Sequence, residues 1–233
     1  MSRGGIRWDD RASLEAVRDT LARAPGWEGV FTHFVSAESD LEMTAMQWTR
    51  FQQIVSSLPR RPALIHGANS AAALAGQTYA GDLIRPGIFL YGGEAGALPP
   101  RPVAALRGQV VALRSIQTSD PVGYNATWRA QRPTLIATIS VGYADGLPRS
   151  GAQPISDHPR QLELGGRLVP IVGRVTMDMC MVAVDWQVAI GETATVYGGL
   201  ISIDQQAAMA GTVSYELLTR LGSRVSRCYK GLE

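Results

Sequence analysis

Residues 66–70 read His-Gly-Ala-Asn-Ser, and residues 85–92 read Arg-Pro-Gly-Ile-Phe-Leu-Tyr-Gly. Each stretch follows or forms a short apolar segment and offers small residues whose backbone N–H groups are accessible. Such amides bind phosphate groups, above all where a strand leads into a helix. The sequence places no cluster of His, Cys and carboxylates beside them, so a metal site is not expected. The two stretches therefore predict a small phosphorylated cofactor as the ligand.

Helical and strand patterns alternate on both sides of these stretches, up to Gly92. Two longer helices are predicted to start at a capping residue and end at a proline: Asp10 or Ser13 to Pro25, and Ser39 or Asp40 to Pro59. The second helix is expected to direct these apolar residues toward a core: Leu41, Ala45, Trp48, Val55 and Leu58. Short strands are predicted at 29–34 (buried), 63–66 and 88–91, and a short helix at 70–75. This alternation implies parallel strands that bind ligands at their carboxyl ends.

The pattern changes after Gly92, where residues 93–100 have the composition of a linker. Turn residues beyond it separate apolar runs that are typical of an antiparallel barrel or sandwich: 109–116, 134–141, 167–172, 181–184 and 193–197. Helical pieces are predicted at 203–210 and 215–221, with Gly222 as the residue after the last cap. We expect two domains, a partial α/β domain with the phosphate site at residues 1–100 and a β-rich domain at 101–233.

Composition excludes several classes of protein. The chain has 233 residues, of which 45% are hydrophobic and 18% charged, and its net charge of +2 does not favour nucleic acid or an anionic membrane as a partner. No apolar stretch approaches the roughly 20 residues of a membrane helix. Two distant cysteines, Cys180 and Cys228, favour a reducing cytoplasmic setting. Only one of the 22 basic residues is a lysine, Lys230.

Three further motifs lie in the β-rich half: VGYNATW at 122–128, SVGYADG at 140–146 and VGRVTMDM at 172–179. Each is weak evidence by itself. A tyrosine between two glycines, such as Tyr143, more often serves packing than chemistry, and Asp178 more often caps a turn than acts in catalysis.

The six motifs together, HGANS, RPGIFLYGG, VGYNATW, SVGYADG, VGRVTMD and SYELLTRLGSRV, resemble alanine racemase in sequence, order and approximate spacing, from Met1 to Tyr229. The resemblance implies the carboxyl-terminal portion of a TIM-type (β/α)8 barrel followed by a β-rich domain. It also implies pyridoxal phosphate as the cofactor, alanine as the substrate and a cytoplasmic homodimer whose site is shared between subunits. The expected function is to interconvert L-alanine and D-alanine, which supplies D-alanine for peptidoglycan.

The same resemblance assigns the cofactor's phosphate to Ser70, the backbone of Gly87 and Ile88, and the hydroxyl of Tyr215. Hydroxyl and amide donors stabilise a dianion without a metal. Considered alone, Ser70 is better explained as a helix cap.

Arg85 is similar to the family's partner of the pyridine nitrogen, and His66 to the residue that holds this arginine from behind. Arginine offers only donors and stays protonated, so it hydrogen-bonds that nitrogen without readily protonating it. An unprotonated ring is a weaker electron sink, which restricts side reactions. Considered alone, His66 is better explained as a satisfied core histidine.

Tyr143 is, by resemblance, the base that removes the α-proton of L-alanine. A free phenol has a pKa of about 10, so neighbouring cations or hydrogen bonds must help it. The backbone of Met177 and the side chain of Arg3, in the family's Met-x-Arg-x-Gly turn, correspond to contacts with the substrate carboxylate. Asp178 corresponds to a structural neighbour, and a frayed terminal arginine is an equal alternative for Arg3.

The sequence departs from the family in one respect. Family members carry, before the Met-x-Arg-x-Gly turn, early barrel strands and the lysine that bonds the cofactor's aldehyde. Here Lys230 is the single lysine and lies beyond the last motif. We therefore expect this chain to be inactive alone, without a covalent anchor or a second base. A fragment whose Met1 is an internal methionine is the favoured explanation, and half of a split enzyme or a non-catalytic remnant are the others.

A racemase of serine or of many amino acids is the alternative within enzymes, because pocket width is not fixed by these residues. A decarboxylase of the same barrel type is disfavoured by the arrangement around Tyr143.

Overall fold

The structure is a computed structural model that describes residues 3–24, 26–149 and 160–231. It forms two compact units, one of Met1–Leu90 with Glu94–Pro100 and one of Tyr91–Gly93 with Arg101–Glu233. Within the described ranges, the helices all fall short of the length and apolar character needed to cross a membrane.

The first unit alternates helices and strands, as predicted. Its elements are α1 (Arg11–Arg23), β1 (Gly29–Phe31), α2 (Leu41–Ser56), β2 (Leu64–His66) and α3 (Ser70–Leu74). β1 and β2 pair in parallel, with Val30 opposite Ile65. The helix caps are Asp10, which accepts a hydrogen bond from the Ser13 amide, and Asp40, which accepts one from the Met43 amide. Pro25, predicted to end α1, lies outside the described residues.

Aromatic and small residues form the core of this unit. Trp48 lies 6.1 Å from Phe34 and 5.5 Å from Phe51 between ring centroids. The predicted core face of α2 is partly wrong, because Leu41 is 57% exposed and Ala45 is also exposed. Thr44 is buried instead. Its hydroxyl donates to the Asp40 carbonyl within the helix, which satisfies a polar group in an apolar position.

Of two further strand predictions, one is wrong and the other is correct only for its first three residues. Residues Ile88–Tyr91 form a 3₁₀ turn, in which the Leu90 amide donates to the Gly87 carbonyl. A four-residue apolar run does not distinguish a strand from a helical turn, and the preceding Pro-Gly bends the chain. The predicted buried strand at 29–34 ends at Phe31, whose side chain is 65% exposed.

The second unit is built around an antiparallel barrel. Its strands are β3 (Leu106–Ile116), β4 (Pro121–Val122), β5 (Trp128–Arg129), β6 (Thr134–Ile139), β7 (Gln161–Leu164), β8 (Arg167–Val172), β9 (Cys180–Val184) and β10 (Thr193–Tyr197). Among the described residues, six of them close in the order β10-β3-β6-β9-β8-β7, while β4 and β5 form a separate hairpin. This barrel is small and antiparallel, and it is not a TIM barrel. Of the two predicted architectures, barrel and sandwich, the structure has the barrel.

β7 was not predicted, although the sequence carries its signal. Gly165 and Gly166, both at positive φ, form the two-residue turn between β7 and β8. Leu162 and Leu164 point into the barrel core and are fully buried. The alternation of four residues was too short to stand out without its hairpin partner.

Two helices follow the barrel, α4 (Ile203–Met209) and α5 (Ser214–Thr219). The cap of α5 is Arg220, so Gly222 lies beyond the position predicted for it. Glycine is required at position 222 for a steric reason, because a Cβ there would lie 2.6 Å from the carbonyl oxygen of Ala144. Gly222 therefore allows the segment after α5 to approach the turn that contains Tyr143.

Candidate functional site

The first unit gathers hydrogen-bond acceptors around the guanidinium of Arg85. Its Nη1 donates to Nδ1 of His66, at the end of β2. Its Nη2 donates to the carbonyl oxygens of Thr32 at 3.0 Å and Gly67 at 3.1 Å, and Nδ1 of His33 lies 3.4 Å away. Among the hydrogen bonds of residues 3–24, 26–149 and 160–231, none uses the Nε–H of Arg85. The cation is therefore fixed from behind and keeps a donor for a ligand.

The surroundings of both histidines favour the neutral form. The pKa of His66 is lowered by burial and then by the charge of Arg85. The pKa of His33 is lowered by burial, by Arg85 and by Arg3. Because arginine only donates, Nδ1 of His66 must accept, which requires an unprotonated Nδ1.

Phe31 completes the cluster on its exposed side. Its ring stacks on that of His66, with centroids 5.4 Å apart and planes 14° apart. The guanidinium carbon of Arg85 lies 5.4 Å from the same ring centroid. Stacking on the Phe31 ring restrains the orientation of the His66 imidazole and of the Arg85 guanidinium, which donates a hydrogen bond to that imidazole.

A second group of donors lies at Ser70 and Gly87. The Gly87 amide donates to Oγ of Ser70 at 2.8 Å, and Ser70 is only 4% exposed. Ser70 is not the cap of α3, as one interpretation had it, because Asn69 fills that role by accepting from the Ala72 amide. Ile88 is buried directly after Gly87.

The space in front of Gly87 is open. A Cβ built on this residue would meet no atom within 4 Å. Room for a ligand is thus left beside two polar groups, Ser70 Oγ and the backbone of Gly87. Gly87 lies two residues after Arg85 in the sequence. The donors and the open space fit a phosphorylated pyridine. No group of three potential metal ligands occurs among the residues described.

In the second unit, Tyr143 lies on a short 3₁₀ turn, Tyr143–Asp145, after β6. The carboxylate of Asp145 accepts a hydrogen bond from the Gly142 amide at 2.9 Å, which closes the turn. Gly146 ends it at a φ of 108°, a conformation that favours glycine. The Tyr143 side chain is 39% exposed, so the turn presents its ring at the surface of the unit.

The structure brings this turn against Met177. The Tyr143 amide donates to the Thr176 carbonyl and the Ala144 amide to the Met177 carbonyl, both at 3.0 Å. A Cβ on Gly142 would lie 2.2 Å from the Met177 carbonyl oxygen, so only glycine allows this approach. The Met177 side chain itself is exposed.

Arg224 links the same two segments through their carboxylates. Its Nε and Nη2 donate to Asp145 at 2.7 and 3.1 Å, and Nη2 also lies 2.7 Å from Oδ1 of Asp178. The pKa of Arg224 is raised, first by the hydrogen bond to Asp145 and then by that to Asp178. Asp178 is therefore one half of an ion pair rather than a turn cap.

Tyr215 is the second residue of α5, and its side chain is about half exposed. Its assignment to the phosphate stays a prediction, as do the catalytic and ligand-binding roles of all the other predicted site residues.

Sequence reasoning missed His33 and Arg224. His33 closely follows a short strand, just as His66 ends one, and this parallel was the available signal. Arg224 lies inside the quoted motif SYELLTRLGSRV, but nothing in that motif distinguishes it from the other arginines.

Both units match family models. Residues 1–95 match the model described as "Alanine racemase, N-terminal domain" and residues 103–229 the model "Alanine racemase, C-terminal domain". An alanine racemase of Acidiphilium cryptum is 40% identical over 239 residues, covering 100% of this chain and 64% of that protein.

Solved structures agree with these matches. The biosynthetic alanine racemase from Pseudomonas aeruginosa is 34% identical with a TM-score of 0.86, covering 98% of this chain and 64% of the other. An alanine racemase from Bartonella henselae, solved with covalently bound pyridoxal phosphate, is 29% identical with a TM-score of 0.86 and the same coverage. The chain thus spans about two thirds of the length of these proteins, 64%.

Proposed function

The chain belongs to the alanine racemase family, and from this premise we propose that it acts in the interconversion of L-alanine and D-alanine with pyridoxal phosphate. The observation that carries the proposal is the Arg85 cluster. A cation fixed by His66, Thr32 and Gly67 keeps one donor for a ligand, close in sequence to the open space at Gly87. The D-alanine formed would supply peptidoglycan synthesis.

The fold is that of alanine racemases, a barrel followed by a β domain, and the closed six-stranded barrel is this β domain. We infer that the α/β unit is the carboxyl-terminal portion of a (β/α)8 barrel. In support, β1 and β2 are parallel, and His66 and Thr32 lie at or just after their carboxyl ends. Active sites of such barrels lie at that end.

Six residues would hold the cofactor. Ser70 Oγ–H, the N–H groups of Gly87 and Ile88, and the Tyr215 hydroxyl suit its phosphate, because hydroxyl and amide donors stabilise a dianion. The Gly87 amide, which donates to Ser70 Oγ in this structure, would share its hydrogen between that oxygen and the phosphate. Arg85 suits the pyridine nitrogen through Nε–H, with His66 behind it. Since a guanidinium does not readily release its proton, Arg85 would hydrogen-bond this nitrogen and leave it unprotonated.

Pyridoxal phosphate supplies, when bound, electron withdrawal from the bond between Cα of an attached amino acid and its hydrogen. Tyr143 would remove that proton at its phenolic oxygen, which the turn presents at the surface of its unit. Proton transfer of this kind requires the base to be positioned within hydrogen-bond reach. In support, backbone hydrogen bonds to the carbonyl oxygens of Thr176 and Met177 fix the turn that carries Tyr143.

Arg3 and the backbone of Met177 are assigned to the substrate carboxylate. A guanidinium pairs with a carboxylate through two parallel hydrogen bonds, so Arg3 suits this ligand. We further propose a homodimer in which Tyr143 serves the site of the other subunit, in keeping with the accessibility of its ring. A cytoplasmic location accords with two free cysteines, Cys180 and Cys228.

The cofactor assignment is tested by comparing pyridoxal phosphate with pyridoxal, which lacks the phosphate, in fluorescence titrations of the full chain. Both ligands carry the same aldehyde, so the ratio of their affinities isolates the phosphate contacts. We expect pyridoxal phosphate to bind about tenfold or more tightly. Gly87→Ala should bring the ratio near one without lowering the melting temperature, because its methyl group enters open space. Equal affinities for the two ligands in the unsubstituted chain would overturn the assignment.

A further inference from the structure

Asp145 and Asp178 share a single cation. Asp145 lies two residues after Tyr143, and Asp178 directly follows Met177. Arg224 donates hydrogen bonds to Asp145 through Nε and Nη2, and Nη2 also forms an ion pair with Asp178. One guanidinium therefore joins the turn that carries Tyr143 to the segment that carries Met177.

Asp145 also forms a hydrogen bond within the turn that carries Tyr143. Its Oδ2 accepts both from Nη2 of Arg224 and from the Gly142 amide. Orienting this carboxylate thus orients the residue that starts the turn, directly before Tyr143. The Asp145 side chain is mostly buried, whereas Arg224 and Asp178 are half exposed.

The segment that carries Arg224 is itself fixed on the turn. A Cβ on Gly222 would lie 2.6 Å from the Ala144 carbonyl oxygen, and one on Gly146 would lie 3.2 Å from that of Arg220. Leu221, which precedes Gly222, and Val225, which follows Arg224, pack against the barrel core. Arg224 is therefore presented from an anchored backbone and not from a loose tail.

We propose that Arg224 is a positioning residue, which holds the Tyr143 turn against Met177 and Asp178. The importance of this position rests on the proposed function, which makes Tyr143 the base. Without Arg224, the two carboxylates would lose their shared counter-charge, and their mutual repulsion would weaken the link that the backbone hydrogen bonds to Thr176 and Met177 make between the segments. A lysine keeps the charge but lacks the planar fork, so it would restore the contact only in part.

The test is hydrogen exchange of the full chain, measured by mass spectrometry on peptides that cover residues 141–147 and 175–179. Arg224→Gln should speed exchange in both peptides about threefold to fivefold and leave the β3 peptide unchanged. The exchange rates of these peptides in Arg224→Lys should lie between those of the unsubstituted chain and those of Arg224→Gln. Arg220→Gln is the matched control: Arg220 is similarly exposed, at 52% against 48%, and pairs with Glu216.

A spectroscopic signal reports on Tyr143 itself. With tyrosine rings labelled in carbon-13, the Tyr143 resonance is assigned by Tyr143→Phe. It should move or broaden in Arg224→Gln, return partly in Arg224→Lys and stay unchanged in Arg220→Gln. A uniform rise in exchange across the barrel, or the same pattern in Arg220→Gln, would overturn the positioning role. Neither measurement depends on cofactor or turnover, so failure here leaves the proposed function standing. Conversely, loss of the cofactor preference would not affect this result.

Discussion

Arg85 donates a hydrogen bond to Nδ1 of His66, and the two residues are separated by 19 positions in the sequence. The contact ties the end of β2 to the cation assigned to the cofactor's ring nitrogen. Because a guanidinium cannot accept, a proton on Nδ1 of His66 breaks this hydrogen bond and sets two cations against each other. Protonation of His66 therefore removes one of the three hydrogen bonds that hold Arg85 and leaves those to Thr32 and Gly67.

This relationship predicts a pH dependence of stability. The pKa values of His66 and His33 are lowered in the folded chain, so the unfolded chain binds protons more readily. Stability is then intact above the ordinary histidine pKa of about 6.5 and is lost as the pH falls from there toward the lowered values. The melting temperature should fall between about pH 7.5 and pH 5.5, a window above the titration of carboxylates.

His66→Gln is the matched variant, because glutamine offers an acceptor to Arg85 but does not titrate. Its melting temperature should fall less steeply over the same window, with His33 accounting for the remaining slope. The same slope in both proteins would show that His66 does not control Arg85.

Arg85→Lys should weaken the binding of pyridoxal phosphate about tenfold. An ammonium group cannot hydrogen-bond His66, Thr32 and Gly67 at once and still present a donor to a ligand. Fluorescence titration measures the change. Arg61→Lys is the control, since Arg61 forms an exposed pair with Asp82 and should bind the cofactor as before. A similar loss in both variants would point to general electrostatics.

The parts of the fold that the sequence predicted are those with local causes. Asp10 and Asp40 cap helices through their own side chains, and the parallel pairing of β1 with β2 follows from the alternation of elements. The 3₁₀ turn at Ile88–Tyr91 was missed because a short apolar run carries no period.

The site shows the same division. His66 and Arg85 were found through motifs, whereas His33 gains meaning only when β1 and β2 lie side by side. Arg224 is 79 residues from Asp145, and no pattern in a single sequence indicates such a pair. Long-range ion pairs depend on the packing of several elements, which the sequence does not display.

Gly142→Ala should destabilise the second unit by about 2–3 kcal/mol. The added methyl group would lie 2.2 Å from the Met177 carbonyl oxygen, a backbone atom that cannot turn aside. Urea unfolding, followed by far-ultraviolet circular dichroism, measures the loss. Gly4→Ala is the control, because a Cβ there meets nothing within 4 Å. If Gly142→Ala unfolds like the unsubstituted chain, Gly142 does not control the approach of the turn to Met177.

The 233-residue chain, supplied with pyridoxal phosphate and L-alanine, should form no more D-alanine than a mixture that contains the cofactor without protein. Lys230 is its single lysine, and it lies exposed in the segment after α5, beyond the last family motif. Racemisation needs a base on each face of the substrate, and Tyr143 is proposed as one of the two. Chiral chromatography of the products measures D-alanine. Formation of D-alanine that disappears in Tyr143→Phe would contradict the expectation about lysine and would support Tyr143 as the base. Formation that survives Tyr143→Phe would contradict both.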